Sequence, residues 1–229
     1  MKLHRFLNAA AGVALAGSSA FAQSKPTVAI MYFNDGAIGK AHEDLAPLSK
    51  GICDVLITEM ADNPGITVVE RDQFASIAAE QKLTTDKMTD PATAVKVGKL
   101  LGVHHMIFGG FVTDPSGTMQ LNLRSVDVET GKIEYTTNVM DKTANLLSLI
   151  HKLAVKTNAG LKLPDIPKQV GEARAAKDEK VPFQAVMLYS RGLEAKDAGN
   201  KSEAITLFKQ ALTSFPGYEA PQKELDKLK

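Results

Sequence analysis

The sequence holds a single cysteine and no tryptophan, and its 27 basic residues against 26 acidic ones leave a formal charge of only +1. A lone cysteine excludes a disulfide scaffold and any cysteine-rich zinc site. Without a basic surplus to neutralise phosphates, a general affinity for nucleic acid is excluded as well. Aromatic residues make up 6% of the chain, so stacking platforms for bases or sugars are scarce. No apolar run reaches the ~20 residues that a membrane-spanning helix needs. What is present is ordinary for a globular protein: 44% hydrophobic and 23% charged residues in a chain of 229. That length suits one domain of roughly 100–200 residues with an appendage.

The first 22 residues read as a secretory signal rather than as part of the fold. Lys2 and Arg5 give a positive start, Ala9 to Gly17 is apolar, and Ala20-Phe21-Ala22 is an A-x-A cleavage site. Cleavage after Ala22 is expected to leave Gln23 as the N-terminus, and loss of Lys2 and Arg5 takes the charge from +1 to −1. No cysteine follows the apolar run, which closes the usual bacterial route to a lipid anchor. The expected product is exported, soluble and periplasmic, with no direct membrane span. Cys53 falls among Leu48, Ile52, Val55, Leu56 and Met60 at helical spacing, where a small buried core residue is expected.

Patterning along the chain predicts an α/β fold. Thr27 to Phe33 is a continuous apolar run of the kind buried on both faces of a sheet. A helix over Leu48–Met60 ends at Asn63-Pro64-Gly65, and Ile66–Glu70 is a second strand followed by a short helix around Phe74 and Ala78. Asp90-Pro91 starts another helix, which stops at Gly102. His104–Val112, Leu121–Asp127 and Ile133–Val139 then read as an antiparallel meander turning at Asp114–Gly117 and Glu129–Gly131. A helix from Thr143 to Leu161 closes the unit before Leu163-Pro-Asp-Ile-Pro167. The expected architecture is a mixed parallel/antiparallel sheet of about five strands packed by helices. Lys168–Lys180 is charged and is expected to be an exposed linker or loose helix.

Catalytic chemistry is not visible. His104 and His105 are adjacent on a strand and point to opposite faces, so a metal would need one of them to meet His42, Glu43 or His151 in space. Gly36-Ala-Ile-Gly39-Lys40 lacks the four-residue gap and the Ser/Thr of a phosphate loop. Neither a Gly-x-Ser-x-Gly elbow nor a Ser-x-x-Lys nucleophile occurs. No catalytic, cofactor-binding or metal-binding residue is assigned, and no cofactor is expected.

Four stretches in register carry a family resemblance: Val28–Phe33, Ile66–Gln73, Val97–Val103 with Ile107–Gly110, and Val126–Lys132. The core resembles the CsgG-like family and the N-terminal domain of TolB-like periplasmic proteins. The resemblance implies a non-enzymatic envelope component that assembles with itself or with outer-membrane machinery. The lipid-anchoring cysteine and the paired alternating segments of a transmembrane hairpin are absent, so the soluble module is expected and the channel is not.

The C-terminal segment resembles one tetratricopeptide repeat, with Gly192, Gly199, Ala204, Phe208, Ala211 and Pro216 in the pattern. Leu188 and Ala195 replace its usual tryptophan and first tyrosine. One repeat leaves apolar surface bare, so the hairpin must dock on the core, self-associate or bind a partner. By the resemblance, its recognition face includes Val186, Tyr189, Leu193, Lys196 and Asp197, with Tyr189 and Leu193 meeting a partner rather than Phe208. The expected organisation is signal peptide 1–22, α/β domain 23–163, linker 164–182 and repeat-like helices 183–229. The expected function is a non-enzymatic protein-interaction or assembly module binding proteins in the periplasm or at the outer membrane. A homo-oligomeric channel or structural subunit is the alternative, and a metal-dependent hydrolase is the enzyme alternative.

Overall fold

The computed structural model describes residues 25–36, 44–178 and 180–229. The signal-peptide reading, the Gly36–Lys40 loop beyond Gly36, and His42 and Glu43 fall outside them.

Strand β1 (Thr27–Ile30) is buried on both faces, as its unbroken apolar sequence demands, with Val28 and Ala29 fully inaccessible. It lies between two parallel neighbours, β3 (Thr67–Val68) and β4 (His105–Thr113). A two-residue strand β2 (Asn34–Asp35) continues its line and pairs with β4 at Gly110 and Phe111. β5 (Thr118–Asp127) and β6 (Ile133–Lys142) extend the sheet antiparallel, in the order β3-β1-β4-β5-β6. The mixed sheet expected from the sequence is therefore present, with six strands because of β2. Its turns form as read: the Asp114 carboxylate accepts from the Ser116 and Thr118 amides, and Gly117 and Gly131 take positive φ of 75° and 71°.

Helix α1 (Leu48–Ala61) connects β1 to β3, while α2 (Arg71–Glu80) and α3 (Pro91–Leu101) connect β3 back across β1 to β4. Two right-handed crossovers running in opposite directions place their helices on opposite faces of the sheet. Asp90 caps α3 by accepting from Ala92 and Thr93, and Gly102 ends it at φ 67°. α4 (Leu146–Gly160) follows β6 and packs against α1 and β6. Cys53 is fully buried, its thiol 3.5 Å from the Ile30 carbonyl oxygen. Burial pushes that thiol well above its usual range, the state of an inert core residue.

Beyond the proline segment, Lys168–Asp178 forms α5, and three more helices complete the chain: α6 (Phe183–Asp197), α7 (Lys201–Ser214) and α8 (Glu219–Lys227). α6 and α7 make an antiparallel hairpin through Gly199 at φ 80°. Phe208 fills the space beside Gly192, where any Cβ would collide with its ring, and Ala204 and Ala211 are fully buried. These helices have no core of their own. Val181, Ala185, Val186, Tyr189, Leu193 and Phe208 belong to the same continuous apolar cluster as β1 and α1. The start of the expected linker is also fastened down: Asn63 and Asn158 both donate to the Pro164 carbonyl oxygen, at 2.6 and 2.9 Å.

Candidate functional site

The densest polar chemistry in the described residues lies at the carboxyl ends of β1 and β3. Tyr32 follows β1, Arg71 opens α2 just after β3, and Lys50 and Asp54 sit in the first turns of α1. Here α6 crosses α1 antiparallel at close range. Gly51 makes this possible, because a Cβ built on it would run into the Ser190 side chain. The crossing brings the last residue of α6, Asp197, down onto Arg71.

Arg71 is 2% exposed, an unusual burial for a guanidinium, and such burial is tolerated only with partners. Its Nη1 donates to both Asp197 oxygens, at 2.8 and 3.0 Å, and its Nη2 donates to Asp72 at 2.7 Å. Nε lies 3.3 Å from Asp54 Oδ1, close enough to pair but off the hydrogen-bond line. The Tyr32 hydroxyl donates to Asp197 Oδ2 at 2.9 Å, and the Lys50 ammonium reaches the same oxygen at 2.8 Å. Three donor groups from the α/β layer thus converge on one carboxylate supplied by α6.

The electrostatics follow from this arrangement. Burial alone would raise Asp197, but Arg71 and Lys50 outweigh it and hold the carboxyl below its ordinary range. Burial, reinforced by Asp197, drives the Tyr32 phenol well upward, so it remains a donor. Asp54 goes the other way: desolvation dominates and raises it, despite the hydrogen bond from Tyr189 and the charge of Arg71. Outside this cluster, Lys196 bridges Asp72 at 2.9 Å and Glu224 of α8 at 2.7 Å. A cavity of about 660 Å³ opens beside Asp197, with Tyr32, Lys50, Lys82 and Lys196 on its walls.

The five residues of the repeat-like face are therefore brought together, but against the chain's own α/β layer. Val186, Tyr189 and Leu193 are 1%, 1% and 0% exposed. Tyr189 donates its hydroxyl to Asp54 and also packs on Phe208, with ring centroids 5.8 Å apart. Lys196 and Asp197 are the ion-pairing members just described. The side chains expected to meet a partner are engaged within the molecule, because the bare apolar stripe of α6 finds α1 first. Of the three routes left open for the hairpin, docking on the core is the one this conformation takes.

The histidines do not converge. His104 Nδ1 pairs with the Thr27 hydroxyl, His105 with Glu134 at 2.7 Å, and His151 with Glu59 at 2.8 Å. Among the described residues no group of three or more His, Cys, Asp or Glu side chains could hold a metal ion, and no helix is long and apolar enough to cross a membrane.

Glu70-Arg71-Asp72 forms a charged corner between β3 and α2, and its sequence alone gives Arg71 no distant partner. One signal was available. Arg71 stands at the positive N-terminus of α2 and Asp197 at the negative C-terminus of α6. Each charge opposes its own helix dipole, so each needs a reason outside its helix.

Known proteins share parts of this chain. The family model described as curli production assembly/transport component CsgG matches residues 10–114, from ahead of β1 to the end of β4. That stretch is CsgG-like. It covers less than half of the chain and contains Tyr32, Lys50, Asp54 and Arg71, whereas α6 lies beyond it. Among solved structures, the LpoB C-terminal domain from Salmonella enterica is similar at 14% identity, over 52% of this chain and 83% of its own, with a TM-score of 0.36. TolB from Acinetobacter baumannii is similar at 12% identity, over 60% of this chain and 28% of its own, with a TM-score of 0.38. PelC from Paraburkholderia phytofirmans, a dodecamer, is similar at 10% identity, over 58% and 86%, with a TM-score of 0.33. None of the curated proteins matches the chain.

Proposed function

We propose that this chain is a non-enzymatic, exported module for protein interaction and assembly in the cell envelope, with its signal removed after Ala22. The observation that carries the reading is a stretch of sheet surface that is exposed among the described residues, on β5, β6 and the end of β4. On β4–β6, the side opposite Leu121, Leu123 and Val139 carries Val112, Asn122, Arg124, Asn138 and Met140, all exposed, with Met140 at 60%. A polar face with Val112 and Met140 exposed at one end matches the ordinary polarity of a reversible protein contact. The CsgG-like match over residues 10–114 supports placing that contact in an envelope assembly process. The C-terminal helices serve this module as a repeat-like cap: they cover α1 and leave the β4–β6 face as the outward surface.

A photocrosslinking residue placed at Met140 or Asn122 tests the reading. In cells, discrete protein adducts confined to the envelope fraction are expected there, with none from the exposed control position Lys209 on α7. Equal labelling at all three positions, or protein recovered only with Met1 intact and outside the envelope, would contradict it.

A further inference from the structure

We propose that the crevice at the carboxyl ends of β1 and β3 is a carboxylate-binding site for an acidic segment of a partner protein, and that Asp197 of α6 occupies it in cis. The inference rests on the interaction reading above and names the chemistry of one partner.

In open α/β sheets, ligands bind outside the carboxyl ends of the strands, where successive crossovers diverge to opposite faces. In this chain the divergence falls at β1, which sends α1 one way while α2 and α3 return on the other side. At that point stand Tyr32, Lys50 and Arg71, a hydroxyl, an ammonium and a guanidinium aimed at one spot. All three come from the first 71 residues, and the carboxylate they hold comes from a residue 126 positions beyond Arg71. The α/β layer thus supplies a complete receptor, and α6 supplies the guest.

The guest is held at its edge. Asp197 is the final residue of α6, immediately before the Gly199 turn, and its side chain is 16% exposed on the wall of the 660 Å³ cavity. Unwinding one turn at the end of α6 would free the receptor while Tyr189 and Leu193 stay packed. The cavity walls carry Asp35, Asp72 and Glu194 beside Lys50, Lys82 and Lys196, so their charges balance, and an incoming segment is recognised by the carboxylate it places on the three receptor groups. A competitor of this kind binds with an apparent affinity lowered by the fraction of molecules in which Asp197 already fills the site.

The full-length chain with Asp197→Ala empties the receptor, and Asp197→Asn leaves only an uncharged amide in it, with less disturbance to the helix end. The probes are sodium acetate, a C-terminally amidated penta-glutamate peptide, a penta-alanine peptide with a free carboxylate, and penta-lysine. Acetate is expected to raise the unfolding midpoint of both variants above that in equal chloride, and to leave the parent chain unmoved. Penta-glutamate is expected to bind the variants at least about tenfold more tightly than the parent, with acetate competing. Penta-lysine should not bind. Stronger binding of penta-alanine than of penta-glutamate would assign the site to a chain terminus instead of acidic side chains, and so overturn the acidic-segment assignment. Arg71→Lys in the Asp197→Asn background is expected to abolish the acetate effect, because a single ammonium cannot hold Asp72 and an incoming carboxylate at once, as Nη2 and Nη1 do. Equal binding of penta-glutamate to parent and variants, or no acetate effect in either variant, would overturn the proposal. Met140 adducts that persist in that case would leave the interaction reading standing, whereas intact peptide binding without adducts would remove only that reading.

Discussion

At the scale of single residues, Arg71 and Asp197 set the terms on which the C-terminal helices attach. Removing one partner of a buried pair leaves the other charged and desolvated, so Asp197→Ala should destabilise the chain by about 3 kcal/mol in urea unfolding. The pH dependence has a defined sign. The folded-state carboxyl sits below its ordinary 3.8, so its stabilisation is complete above about pH 4 and fades as pH falls through the folded value. The stability gap between the parent and Asp197→Asn should therefore be constant from pH 7 to 5 and shrink below pH 4. A gap that widened on acidification would reverse the assignment. Asp54 acts oppositely, since its raised value costs stability as pH rises, and it is present in both proteins and cancels. Gly51 is a second controlling residue. Adding a methyl group forces α1 and Ser190 apart, so Gly51→Ala should cost about 1–3 kcal/mol and be largely relieved by Ser190→Gly. Neither role was legible in the sequence. A glycine inside a well-patterned helix gives no sign of what crosses it, and a charged corner does not announce a carboxylate 126 residues away.

Elements were more readable than contacts. The alternation of β5, the turns at Asp114 and Gly131, and the Asp90-Pro91 start of α3 all formed where local chemistry required them, because each is decided by residues within one or two turns of chain. The pairing of α6 with α7 belongs to the same class. Small residues at Gly192 and Ala204 and the ring of Phe208 fix their approach, and Phe208→Ala should cost about 3–5 kcal/mol, measured by denaturant unfolding followed by far-UV circular dichroism. What the apolar stripe of α6 would face was not decided locally. Val186, Tyr189 and Leu193 satisfy a repeat partner and α1 equally well in one dimension. Only the folded arrangement, with Gly51 opposite Ser190, shows which surface is near enough to cover them.

For the whole molecule, a sheet and a helical cap share one apolar core, joined at their rim by buried charge. Their unfolding should be coupled, although the chain reads as two units divided by a proline-bounded linker. Hydrogen exchange of the full-length double variant Tyr189→Ser/Leu193→Ser, compared with the parent chain, tests that coupling most directly. Both side chains are fully buried at the α1–α6 contact, so their loss should speed amide exchange in α1 and β1 as well as in α6–α8. Faster exchange confined to residues 183–229, with α1 and β1 as protected as before, would contradict the shared core and return the face of α6 to an outside partner.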